Sequence, residues 1–143
     1  MTRRAGIWGL VLLALLALLP FVAAAAEPGR KARAAFESTH NAWAGAMRWG
    51  DNEERLAFLD VLAQDGVDDF SLRRWDQIRI SGYRERARRS DPQGRVRLRA
   101  EVGLINIHTQ AERTVVVEEL WEWLPEQGGW RLVSGLPALW PDA

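Results

Sequence analysis

Cysteine is absent from all 143 residues. That single omission excludes disulfides, zinc–thiolate sites, thiol nucleophiles and the acceptor a lipoprotein anchor requires, so a folded domain here must rest on its core alone. Histidine is nearly absent too, with only His40 and His108, 68 positions apart, which gives no spacing for a metal centre. A glycine-rich phosphate loop, a serine-centred nucleophile elbow and a redox motif are likewise missing. No cofactor is expected. Lysine is reduced to Lys31, the other basic residues being arginine, and 19 basic residues offset 19 acidic ones. Without a basic surplus, the composition gives no reason to expect a nucleic-acid partner.

The one long apolar run lies at the N-terminus. Arg3 and Arg4 precede 13 apolar residues, Ile7 to Leu19, followed by Pro20 and the small residues Ala23 to Ala26. This is the order of a secretory signal peptide, with Ala24 and Ala26 flanking a cut before Glu27. The run is shorter than the ~20 residues that span a hydrocarbon core. Residues 1–26 are therefore expected to be removed, leaving no stable membrane anchor and a periplasmic or secreted product. The remaining 27–143 are long enough for one domain with a core of its own. Its charge, 17 basic against 19 acidic residues once Arg3 and Arg4 are gone, is near neutral.

In that domain the hydrophobic period changes from helical to strand-like. Ala32 to Trp49 is rich in alanine and free of proline, with Phe36, His40, Trp43 and Met47 on one stripe and Gly50 placed for a left-handed C-terminal cap. Asp51 and Glu54 suggest a capping box for a second, largely buried helix from Asn52 to Ala63. A single helical turn is expected over 70–74. Strands are predicted over 77–89, 95–108, 113–124 and 130–136, with turns at 90–94 and 126–129. The alternation of the second strand slips near Gly103, which predicts a bulge there. In the third, Val115, Val117, Trp121 and Trp123 share a face. Helices followed by antiparallel strands make an α+β fold.

A helix ending in "MRWGD", a second helix directly after it, and the closing "EELWEWLPEQGGWRLVSG" resemble the NTF2-like (SnoaL/ketosteroid-isomerase-like) superfamily. The resemblance implies N-terminal helices packed in the concave face of a curved antiparallel sheet, a cystatin/NTF2-like cone with a pocket at its wide end. It also implies a possible homodimer through the outer sheet face. Members of the superfamily include isomerases, dehydratases, hydrolases and proteins that only bind or assemble, so activity must be read from the site. The acid–base pair that catalytic members carry on adjacent inward strand positions is missing here.

Phe36, His40, Trp43, Met47 and Phe58 are the expected pocket residues, and His40 is the best catalytic candidate because an imidazole there can serve as a base. Against that stands its place on an apolar stripe, where a histidine is commonly a hydrogen-bonded core residue. Asp51 reads first as a helix cap. Tyr83, on a face with Gln77, Arg79 and Ser81, reads as half-solvated, and His108 and Asp60 as surface or structural residues. Arg84, Arg86, Arg88, Arg89, Arg95, Arg97 and Arg99 form a basic run that can hold phosphate, anionic lipid or acidic polysaccharide, or be a solvated face balanced by Glu85, Glu101, Glu118, Glu119 and Glu122. Trp121 and Trp123 are either core or an exposed patch for a dimer partner, a client protein or a sugar ring. Three functions follow: non-catalytic binding of a protein partner or small apolar ligand, a small pocket enzyme using His40, and an envelope-polysaccharide module using Trp121 and Trp123.

Overall fold

Six alanines between Ala32 and Ala46 favour helix, and α1 runs from Arg30 to Trp49. A computed structural model describes residues 28–140, so the signal-peptide expectation lies outside the described residues. The buried stripe of α1 is Ala32, Phe36, His40, Trp43, Ala46 and Met47. The helix ends at Gly50, whose backbone is extended (φ −81, ψ 171), not left-handed as expected. Glycine is needed there for proximity: a Cβ would lie 2.7 Å from the Ala46 carbonyl oxygen. The extended Gly50 leads straight into Asp51, whose side chain accepts from the Glu54 N–H at 2.8 Å and starts a new helix.

The expected helix over 52–63 is instead two short ones, α2 (Asn52–Leu56) and α3 (Val61–Asp65), and neither buries a residue. Between them Leu59, 1% exposed, pairs in parallel with Leu132. Leu132 donates to the Phe58 carbonyl at 2.9 Å, and Asp60 N–H donates to the Leu132 carbonyl at 3.1 Å. These bonds explain the break, because a continuous helix would leave the backbone groups of Leu132 bare on a sheet edge. A fourth helix, α4 (Asp69–Trp75), is capped by Asp68 accepting from Ser71 N–H at 2.7 Å, and it buries Trp75.

Four strands follow: β1 (Ile78–Ser90), β2 (Val96–Asn106), β3 (Glu112–Leu124) and β4 (Gly129–Leu132). They form one antiparallel meander in the order β1-β2-β3-β4. The last strand is shorter than expected because the ladder ends after the Val133 N–H bond to the Leu120 carbonyl and the chain then leaves the sheet; the Arg113 guanidinium donates to the Leu139 carbonyl at 2.6 Å and holds that tail down. A 3₁₀ turn at Pro125–Gln127 precedes β4, and Gly128 takes the left-handed conformation (φ 90) that closes it.

The bulge expected in β2 lies in β1. β2 pairs with β3 without a shift from Val96 to Ile105, and Leu104 stays inward at 3% exposure. The register of β1 slips between Ile80 and Gly82, opposite Gly103, and again between Glu85 and Ala87. A Cβ on Gly103 would lie 2.6 Å from Ser81 Oγ, so this glycine makes room for its neighbour's irregularity. The core lies between the stripe of α1 and the inward residues of the sheet, with Trp43, Met47, Leu98, Trp121, Leu132 and Leu139 among its most enclosed side chains.

Candidate functional site

Period-two alternation in β3 points Val115, Val117, Glu119, Trp121 and Trp123 to one face, and this puts a carboxylate among aromatic rings. Glu119 is 2% exposed. Such a group requires donors on every side, and three side chains supply them. Trp43 Nε1 donates to Glu119 Oε2 at 2.8 Å, Trp121 Nε1 donates to Oε1 at 3.0 Å, and the Tyr83 hydroxyl donates to the two oxygens at 2.9 and 3.0 Å. His40 Nε2 lies 2.9 Å from the same hydroxyl, on its other side. The imidazole stacks on Phe36 with centroids 5.6 Å apart, and its Nδ1 is 4.0 Å from Glu85. Glu85 is bound by Arg88, which also pairs with Glu37 on the helix. A polar chain thus leads from Glu119 through Tyr83 and His40 towards charged groups at the surface.

Burial pushes the Glu119 carboxyl above its ordinary range, and the three donors pull partly in the other direction. Burial first, and then the negative charge of Glu119, raise the Tyr83 phenol, so it stays protonated. His40 is shifted down by burial, which outweighs the opposing pull of Glu85, and the ring is neutral at pH 7. Since indole N–H groups only donate, the Tyr83 oxygen decides the proton order. With Glu119 ionised, the Tyr83 O–H points to it and His40 must donate from Nε2.

The aromatic side of this network is closed. Phe36, Trp43 and Met47, at 3%, 0% and 0% exposure, fill the space expected to be a pocket, together with Trp121 at 0%. Phe58 is half-buried, edge-on to Trp43 at 5.5 Å. Glu119 borders a groove on the sheet, but neither His40 nor Tyr83 lines that groove or the four others described. The imidazole therefore has the position of a core histidine, out of reach of any reacting atom. Among the described residues no three His, Cys, Asp or Glu side chains cluster to hold a metal, and no helix is long and apolar enough to cross a membrane.

Several expectations need correcting. Trp121 is not a surface residue, since α1 covers its face of the sheet, with Phe36 and Trp43 each 5.9 Å away edge-on. Trp123 is half-buried beside Trp130 at 5.8 Å. Glu119 does not belong to the solvated face. Tyr83 does not share a face with Arg79 and Ser81, because the slip after Ile80 turns it inward. Three readings agree with the structure: Asp51 is a cap, His108 is exposed, and Asp60 is structural, accepting from Gln127 at 2.6 Å. The visible trace of Glu119 in the sequence was its place in the gap of the series Val115, Val117, Trp121, Trp123.

The arginines divide into two sets. Arg84 and Arg86 bind Glu101, Arg88 binds Glu85 and Glu37, and Arg95 binds Asp91. Arg89, Arg97 and Arg99, with the ion-paired Arg88, line a groove of about 560 Å³ on the sheet, which Glu118, Glu119, Leu120 and Ser134 also border. Arg89 and Arg97 are direct cross-strand partners.

No family model matches this chain, and no curated protein or solved structure is significantly similar to it. Function must be argued from the chain itself.

Proposed function

We propose that the chain is an exported, NTF2-like α+β domain that acts by binding at its surface, not by catalysis. The observation that carries this reading is the filled interior: the residues a pocket would need are packed ring against ring, and the best proton-transfer group, His40, is 5% exposed. A leading helix laid against a four-stranded antiparallel meander supports the NTF2-like assignment, and the signal-like first 26 residues support export. The enclosed interior has no room for an apolar ligand, so the grooves outside it are the places for a partner. The outer sheet face carries Arg89, Arg97 and Arg99, a surface suited to an anionic partner.

The test is His40→Ala in the purified protein. The expected outcome is a lower unfolding midpoint, through the lost stacking on Phe36 and the lost bond to Tyr83. A hydrolytic or isomerising activity that disappears in this variant at an unchanged midpoint would overturn the proposal in favour of a pocket enzyme.

A further inference from the structure

We infer that the groove bounded by Arg89, Arg97 and Arg99 is a binding site for a phosphate ester, a reading that rests on the surface-binding function above. The three side chains share the outer face: Arg89 sits opposite Arg97, and Arg99 lies two residues along the same strand, opposite Ala87. Like charges placed directly across a strand pair repel. Every other arginine on this stretch of β1 and β2, from Arg84 to Arg95, has a carboxylate partner, whereas Arg89 and Arg97 form no ion pair among the described residues. Arg99 reaches Glu118 at 3.7 Å, but these side chains are 61% and 80% exposed, a contact that water weakens and a stronger anion displaces. Guanidinium groups are planar forks suited to two oxygens of one anion, and several around a single groove favour a phosphate over a single carboxylate.

The rest of the lining is mixed, with Glu118 and the enclosed Glu119 beside groups that suit the ligand. Ser134 Oγ accepts from Leu120 N–H at 3.0 Å, which leaves its own O–H to donate outward. Ala87 and half-buried Leu120 add an apolar area among the charges. A volume of about 560 Å³ is far more than an inorganic phosphate fills, and the remainder accommodates an organic body carried on the ester. Glu118 disfavours ligands bearing a carboxylate or second anion on that side.

The test is calorimetric titration of the purified protein with phenyl phosphate at low ionic strength. Saturable binding is expected, weakened about tenfold or more in Arg89→Ala and in Arg97→Ala, each of which removes a charge-assisted fork. Arg84→Ala, which removes an arginine already engaged by Glu101, leaves the affinity unchanged. The Arg89 and Arg97 variants fold with unfolding midpoints equal to or above that of the parent, because each relieves a like-charge pair. Absence of binding at millimolar phenyl phosphate, or equal losses in the Arg84 and Arg97 variants, would overturn the site. Co-sedimentation with phosphatidylglycerol vesicles but not phosphatidylcholine vesicles, lost in the Arg89 and Arg97 variants, assigns the ester to a lipid headgroup; titration without sedimentation assigns it to a soluble ester. Release of phenol would keep the site and sink the binding-only function.

Discussion

Glu119 is bounded by three donors, of which the two indoles, Trp43 and Trp121, have no alternative acceptor. Replacing Glu119 by leucine leaves two indole N–H groups without an acceptor in the core, while the Tyr83 hydroxyl keeps only its bond to His40, and is expected to cost ~3 kcal/mol or more. Glu119→Gln keeps one acceptor oxygen and offers the Tyr83 oxygen a donor, so its loss should be smaller. Chemical denaturation of the two variants checks the order, and a leucine variant as stable as the parent would show that the network contributes nothing. His40 adds a pH dependence. The unfolded chain takes up a proton near the ordinary value of 6.5, but the buried ring resists it, so stability is lost as pH falls below 6.5. Glu119 acts in the opposite sense, holding its proton to higher pH than its ordinary 4.5 and giving up stability as pH rises above that value. His40→Phe removes only the first effect. At pH 8 the variant should be less stable by ~1 kcal/mol for the lost hydrogen bond, and the gap should narrow between pH 6.5 and 5. Thermal midpoints across that range measure it; a constant gap would show that His40 does not titrate with folding.

The elements of the fold were legible in unequal measure. α1, β2 and β3 follow directly from periodicity, since each has one buried face and a change in its period would have moved that face outward. The break at Leu59 was not legible. A broad apolar arc satisfies a helix, and only the unpaired edge of β4, 73 residues further on, gives the chain a reason to run extended there. The inward turn of Tyr83 was hidden in a similar way, because a bulge shifts every later side chain in a strand and the cue, Gly103, lies on the neighbouring strand. Glu119 was hidden by its type: carboxylates usually face water, and its indole and phenol donors come from α1 and β1. Leu59→Ala tests the importance of the break. As Leu59 is 1% exposed, the substitution should cost about 2–5 kcal/mol, read from the denaturation midpoint. Leu62→Ala, on a side chain 79% exposed, should change it little.

At the scale of the molecule, both edges of the sheet are guarded. β4 is covered by Leu59, and β1 carries Arg84, Arg86, Arg88 and Arg89, charges that discourage a further strand from joining. The N-terminal boundary suits export, since α1 begins at Arg30 and a cut before Glu27 removes none of the described helices or strands. Expressed in a bacterial host with its leader, the protein should be recovered outside the cytoplasm with Glu27 as first residue by N-terminal sequencing. A retained Met1 would contradict the assignment of residues 1–26.

The span of the contacts made by α1 has one more consequence. Trp43 bonds to Glu119, 76 residues later, and the Ala32 carbonyl accepts from Trp130, 98 residues later. A chain made or threaded N-terminus first presents this helix long before its partners arrive. Until β3 and β4 have emerged, Phe36, Trp43 and Met47 have nothing to close upon, and Glu119 cannot be dehydrated without its indoles. The late arrival of half the core therefore leaves an emerging chain open until β3 and β4 are present, so closure of the core is among the last steps of folding during synthesis.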